Sequence, residues 1–546
     1  MIGKLMKDWA GNLKRGEVCA CFVFAVLFAW AVLLPELGKF GLKQVALFSI
    51  GLSIVSASVL VAICDQIKQI NRKERVAARR SSKQVRIAFL LCFAALEVSF
   101  LAVLLSNWPG FCSTDSNDIV NQVLGVSEWS TWHRYDGLAN HHPIFYTFLV
   151  WVVFQATAFF GSVDLSIGIF LFLQMTVAAL VLSWCISVFV RLGFGKRYIL
   201  AAFAFMLFNP ILANYSVTMW KDVLFSCCAL FLIVRLYSLL FHGEKKHIGR
   251  TLLVACLLLT FLRSNGFVVV GATLLVLFAI EPDLRKKVAA VGAAVLCAFL
   301  VVQGPLLSIM GVQKGHFSES VGIPLQQIAA TVHKGGHINE EQEEFINRVL
   351  PMEAMRDSYN PQTPNPIKFH ESFDDAFLEE HKIEFLVTWA SMLPDNLGIY
   401  VKAWIDETQG YWNPGYPSWL VTNSTLYEQA PRDYLGFDWD PGFLAQKLIA
   451  ALPVPFSSGT LIWAVAALVF VGCVAVAALV FVGCVGLEKK KRARCLVCVM
   501  PLIALLATLF VAAPAVGDYR YIFAFNLALP FVLPIACLVK AGRPKA

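Results

Sequence analysis

Residues 143–160 read PIFYTFLVWVVFQATAFF, and the topology of the chain turns on whether this apolar stretch crosses a bilayer. Twelve other apolar runs surround it, near 18–36, 43–65, 87–106, 165–190, 198–216, 222–241, 251–264, 267–281, 288–309, 458–487, 495–514 and 521–539. Basic residues collect in short loops between them: QIKQINRKERVAARRSSKQVR (66–86), RLGFGKR (191–197), HGEKKHIGR (242–250), EPDLRKK (281–287) and EKKKRAR (488–494), with Lys4, Lys7, Lys14 and Arg15 before the first run. Lys and Arg concentrate in cytoplasmic loops. Twelve crossings put all these loops and both termini on that side. A further crossing at 143–160 would turn 191–197, with its three bases, outward. Parity therefore predicts that 143–160 lies along, or dips into, the outer interface. The alternative is a thirteenth crossing with one loop breaking the rule.

Composition sets the same class. Of 546 residues, 58% are hydrophobic and 15% charged. That balance fits a polytopic membrane protein and not a soluble globule of this size. The first run, EVCACFVFAVLFAWAVLLPEL, lacks a small-residue cleavage site and is soon followed by a second, so it reads as a retained helix. The expected fold is all-α, with about twelve transmembrane helices and an extracytoplasmic segment of helical and irregular character. The expected organisation is N-terminal membrane helices (1–106), an outer loop with the interfacial stretch (107–160), core helices (161–309), the outer segment (310–457) and C-terminal helices (458–546).

The net charge of +8 is unevenly spread. Residues 310–455 carry 20 Asp and Glu against 9 Lys and Arg, and the remainder carries 17 against 36. The bases sit where the positive-inside rule puts them, so nucleic acid is a poor partner for this charge. None of the fifteen cysteines falls in 310–455. Most lie in or beside apolar runs, where Cys acts as a small hydrophobe. CLVC (495–498) opens a membrane helix and reads as packing. AVAALVFVGCV occurs at 464–474 and again at 475–485. Eleven residues restore nearly the same helix face, so this is a duplication lengthening a lipid-facing helix.

Chemistry-bearing residues gather at the outer ends of the runs. The loop FCSTDSNDIVNQVLGVSEWSTWHRYDGLANHHPIFYT (111–147) carries Asp115, Asp118, Glu128, Asp136, His133, His141 and His142. Lys221 and Asp222 end NPILANYSVTMWKD, Arg263 and Asn265 lie in FLRSNGF, and Asp518, Arg520 and Tyr521 lie in GDYRY. By the charge-derived topology all face the same side and can form one cleft. Carboxylates there can act as general base or metal ligand. Arg and Lys at the headgroup plane can hold a phosphate. An anionic lipid with a reactive group suits both. The bland readings are an N-cap for Asp115, a solvated acid for Asp118, helix-start charge for Asp222 and an interface anchor for Arg520. His133, His141 and His142 raise zinc, but an HH pair at an interface reads first as packing. Glu97, inside LLCFAALEVSFLAV, is a functional candidate as an intramembrane carboxylate, or a buried hydrogen-bond partner.

An Asp-bearing outer loop, HHP before an aromatic-aliphatic stretch, a P…S…WKD turn and a late RY before the last run together resemble the polytopic GT-C glycosyltransferases. That superfamily includes protein mannosyltransferases and the lipid A aminoarabinose transferase. WPGFCSTDS…Q…HHPIFYT is similar to an uncharacterised group of such proteins in Gram-positive bacteria. The similarity covers roughly 107–310 and the last helix. It implies a catalytic Asp at Asp115, a second acid at Asp222, and His142-Pro143 in a helix at the membrane surface. It also implies a polyprenyl-phosphate-linked sugar as donor, a cell-envelope acceptor, and in some members a divalent cation, Mg or Mn, for which Asp115 and Asp222 are the candidate ligands. Ser116 stands where the common Asp-Glu pair has its acid, which puts the metal in doubt. The expected enzyme is a glycosyltransferase at the outer face of a bacterial cytoplasmic membrane. Asp115, Asp222 and Asp118 would be its catalytic acids. Lys221, Arg263, Arg520, His142 and Tyr521 would line the lipid-phosphate site. The competing classes are a transporter or flippase of a lipid-linked saccharide, favoured by Glu97, and an envelope scaffold.

Overall fold

The structure is a computed structural model that describes residues 15–34, 40–73, 80–126, 135, 137–413, 489–512 and 515–537. Among these residues it is all-α, with two isolated β-bridges, Phe111–Thr218 and Ala139–Gln313. The helices are α1 (Arg15–Leu33), α2 (Leu42–Lys73), α3 (Ser82–Ser106), α4 (Thr114–Leu124), α5 (Ile144–Thr157), α6 (Val163–Arg191), α7 (Lys196–Phe208), α8 (Pro210–Ser216), α9 (Lys221–His242), α10 (Ile248–Leu262), α11 (Gly266–Ile280) and α12 (Arg285–Val301). Residues 310–413 add α13 (Gly322–Lys334), α14 (Glu340–Val349) and α15 (Lys382–Thr408), and the C-terminal part adds α16 (Lys489–Val511) and α17 (Phe523–Cys537).

The helices start where capping predicts. Ser81 opens α3 with a capping box to Gln84. Cys92, Leu96, Phe100 and Leu104 form the buried stripe of α3, while Leu91 and Val98 on its flanks are exposed. An apolar helix with an apolar exposed flank needs a lipid solvent there. By contrast α9 is buried along nearly its whole length, packed by α6, α10, α16 and α17. It is the central post of the bundle.

Among the described residues, five helices are long and apolar enough to cross a membrane: Ser82–Ser106, Val163–Arg191, Lys221–His242, Pro282–Ile309 and Lys490–Val511. A sixth crossing arises if α7 and α8, bent by 57° at Asn209–Pro210, count as one. Helix length among the described residues thus falls short of the expected twelve. Polar turns cut the runs short. Arg263–Asn265 separates α10 from α11, as the runs 251–264 and 267–281 imply, and each has 15 residues, or about 22 Å against a core of about 30 Å. Asn209 breaks 198–216, its side chain capping Ile211 and Leu212 with Pro210 in the first turn. The 143–160 stretch is helical from Ile144 to Phe160 and packs on α4, α6 and α10. The expected run 458–487, the repeat inside it, and Glu128, Asp136 and His133 lie outside the described residues.

Ion pairs join the basic loops two by two. Arg191 pairs with Glu244 at 2.7 Å, and Arg494 grips Glu281 through Nε at 2.5 Å and Nη2 at 3.0 Å. The other ends of the same helices carry the polar turns. Within residues 310–413, α13 packs along α15 over a core of its own that includes Leu325, Ile328, Phe345, Leu378 and Phe385. This unit is tied to the GDYRY turn. Trp404 Nε1 donates to the Phe510 carbonyl at 2.8 Å, the Tyr411 hydroxyl to Ala515 at 2.5 Å, and the Val516 amide to Gln362 at 2.9 Å. Gly410 is required there, because a Cβ on it would lie 2.2 Å from the Gly517 nitrogen.

Candidate active site

Two turns far apart in sequence are laced together by their backbones. The Phe111 amide donates to Val217 at 3.0 Å and the Met219 amide to Phe111 at 2.9 Å. Gly110 permits the approach. Its φ is 118°, and a Cβ there would meet the Val217 carbonyl at 2.8 Å. Side chains complete the joint. Ser116 Oγ donates to the Met219 carbonyl at 2.8 Å and accepts from the Ser113 amide at 2.9 Å. Trp220 Nε1 donates to Ser113 Oγ at 2.6 Å. From α6, Gln174 Nε2 donates to Ser216 and Thr218, and Gln174 Oε1 accepts from Tyr146. Ser116 is therefore a strut between the turns.

This joint sets Asp115, in the first turn of α4, against Lys221, the first residue of α9. Lys221 Nζ lies 3.3 Å from Asp115 Oδ2 and 3.3 Å from His142 Nδ1. Arg520 reaches the same carboxylate oxygen with Nη1 at 2.6 Å, while its Nε donates to Asp518 at 2.7 Å. The Arg520 guanidinium also stands over the Trp220 ring, 5.2 Å from its centroid. His142 lies between two acids, 3.8 Å from Asp115 and 3.7 Å from Asp118. Asp118 is buried, which overturns its reading as a solvated acid.

Asp222 belongs to a second pair. Its carboxylate is 2.8 Å from Arg263 Nη1, a close ionic contact whose angle does not make a hydrogen bond. Tyr521 joins the pairs, its ring lying 5.0 Å from the Arg263 guanidinium and 4.8 Å from that of Arg520. All eight residues expected from sequence thus fall in one cluster, with Asp115 and Asp222 on separate cations. Glu97 instead accepts from Thr176 Oγ1 at 2.6 Å on the α3–α6 packing face.

Electrostatics assign the protonation states. Burial opposes ionisation of Asp115, but Arg520 and then Lys221 outweigh it and hold the carboxyl well below the usual range. Burial, then Lys221, push His142 well below its ordinary value, so it is neutral. With the Lys221 ammonium beside Nδ1, that nitrogen is the acceptor and Nε2 carries the proton toward Asp118. Burial raises Asp518 to about 6 despite Arg520, making it the acid poised near neutrality.

The donor set does not suit a divalent cation as arranged. Asp115 and Asp222 are each held by a cationic side chain, and among the described residues no three His, Cys, Asp or Glu side chains converge as ligands. Trp220, Gln174, Ser113 and Tyr411 support the site but were not singled out from sequence. Only Trp220, beside Lys221, had a local signal.

No curated protein and no solved structure matches the chain. A family of unknown function, DUF6020, matches residues 70–543, and the chain belongs to that family.

Proposed function

We propose that this protein is a membrane glycosyltransferase that moves a sugar from a polyprenyl-phosphate donor to an envelope acceptor at the outer face of the cytoplasmic membrane. The observation that carries the reading is Asp115 held jointly by Lys221 and Arg520 at the outer end of α9. A carboxylate so held is a weak base. An arriving lipid phosphate competes for the same two cations, and as they turn to it Asp115 regains basicity. Asp115 then takes the proton of an acceptor hydroxyl. That oxygen bonds to the anomeric carbon, the bond from this carbon to the phosphate oxygen breaks, and its electron pair leaves with the polyprenyl phosphate. Lys221 and Arg520 stabilise the charge gained by the leaving group. Neutral His142 accepts from Lys221 through Nδ1 and so holds the ammonium beside Asp115. Arg263, paired with Asp222, flanks the phosphate position across Tyr521.

The proposal includes twelve crossings, with α10, α11 and α17 as short spans extended by their polar turns and α5 at the outer interface. The test is transfer in proteoliposomes supplied with labelled polyprenyl-phosphate sugars and envelope acceptors. Transfer by the wild type supports the enzyme. No transfer from any donor, with protein-dependent movement of labelled lipid across the bilayer, replaces it with the flippase.

A further inference from the structure

Helix α15 buries one face in the outer segment and leaves another bare. Phe385, Thr388, Met392, Asn396, Tyr400 and Ala403 face inward. Ile383, Leu386, Val387, Leu393, Leu397 and Val401 are exposed, Ile383 by 79% and Val387 by 61%. With the exposed Ala390 and Pro394 filling the gap between Val387 and Leu397, these six follow one helix face on either side of the kink at Asn396 and form an apolar stripe. Glu384 and Asp395 fall to one side of it. A contiguous apolar surface of this length outside the candidate membrane spans calls for a partner.

The position of α15 identifies that partner. Its C-terminal part is fixed to the end of α16 through Trp404, which donates to Phe510 and packs on its ring with centroids 6.0 Å apart. Its N-terminal part packs through Phe385 on Phe317, with centroids 6.3 Å apart, a few residues beyond Ile309 at the end of the long apolar helix Pro282–Ile309. The helix is thus strung between the outer ends of two candidate membrane spans. Ile309, Met310 and Val511 at those ends are themselves exposed, Ile309 by 83%. The stripe continues the apolar surface of the membrane helices.

We infer that α15 is an interfacial helix, with its apolar stripe seated among the acyl chains of the outer leaflet and Glu384 and Asp395 toward water. This interaction surface is independent of the proposed reaction. It turns the outer segment from a projecting domain into a cover held down on the bilayer at the side where Asp518 and Arg520 lie.

Photocrosslinking in the full-length protein decides it. p-Benzoylphenylalanine would replace Val387, Leu397 or, as control, Asp395, and the protein would be irradiated in phosphatidylglycerol–phosphatidylethanolamine nanodiscs. All three positions are exposed, so each variant retains the core packing. Lipid adducts at 387 and 397 but not at 395, read by mass spectrometry, are the expected result. Crosslinks from 387 and 397 to residues 414–488, or to a second copy, would overturn the inference in favour of a protein partner. Absence of any adduct at 387 and 397 would overturn it in favour of a solvated stripe.

Discussion

Replacing Arg520 with Gln removes the group that binds Asp115 and Asp518 together. Two charge-assisted hydrogen bonds disappear, at 2.6 and 2.7 Å, each worth about 1.5–3 kcal/mol. Asp115 keeps Lys221, but Asp518 is left buried beside Asp222 and Asp115, which already raise its pKa. It relieves the charge by taking up a proton, and each unit of pKa so gained costs about 1.4 kcal/mol once the solution pH exceeds it. The sign follows from proton counting. In the wild type the Asp518 pKa is raised to about 6, so between its unfolded value and 6 the folded chain holds a proton that the unfolded chain releases. Stability contributed by this group is lost as pH rises through that window and is level above it. Without Arg520 the folded pKa moves higher, and the loss continues into alkaline solution. The variant should therefore be destabilised by about 3 kcal/mol or more at pH 8, and by roughly half as much at pH 5.5, where Asp518 is largely protonated in both proteins. Thermal unfolding in detergent across this range reads it as a Tm difference that widens with pH. A difference independent of pH would refute the coupling of Arg520 to Asp518.

Other perturbations test the joint beneath the site. Ser116→Val strips the strut from the Met219 carbonyl and the Ser113 amide in a fully buried position, and should cost about 1–3 kcal/mol in unfolding, with reduced transfer. Gly110→Ala forces a left-handed residue against the Val217 carbonyl and should lower Tm more than Gly125→Ala, which has a positive φ but no close neighbour. Millimolar MgCl2 or MnCl2 should leave Tm unchanged, and EDTA should leave transfer unchanged; a saturable Tm rise would mean that Asp115 and Asp222 rearrange into a metal site.

The polar turns were legible in the sequence because each breaks an apolar run with groups that hydrocarbon does not tolerate. STDS, WKD, RSN and GDYR stand out on that ground alone, and charge parity put them on one side. Their pairing was not legible. That Arg520 grips Asp115, and Arg263 grips Asp222, depends on contacts across 405 and 41 positions respectively, which no local pattern encodes. The same limit explains Gln174 and Tyr411, whose work is done on distant backbones. The break at Arg263–Asn265 was legible, and α10 and α11 match the runs 251–264 and 267–281; the bend at Asn209–Pro210 was not, because hydropathy runs through it from 198 to 216. The exposed stripe of α15 was hidden for the opposite reason. Glu384, Asp395 and Lys402 dilute its hydropathy, and only the packing of α13 separates its inner from its outer apolar face.

The most direct test of the site compares wild type with Asp115→Asn in two readings, sugar transfer in proteoliposomes and binding of polyprenyl phosphate followed by native mass spectrometry. Asparagine fits the space and removes the charge that competes for Lys221 and Arg520. The variant should lose transfer while binding polyprenyl phosphate several-fold more tightly. Transfer retained by the variant, or binding weakened along with transfer, would contradict the roles given to Asp115 and its two cations.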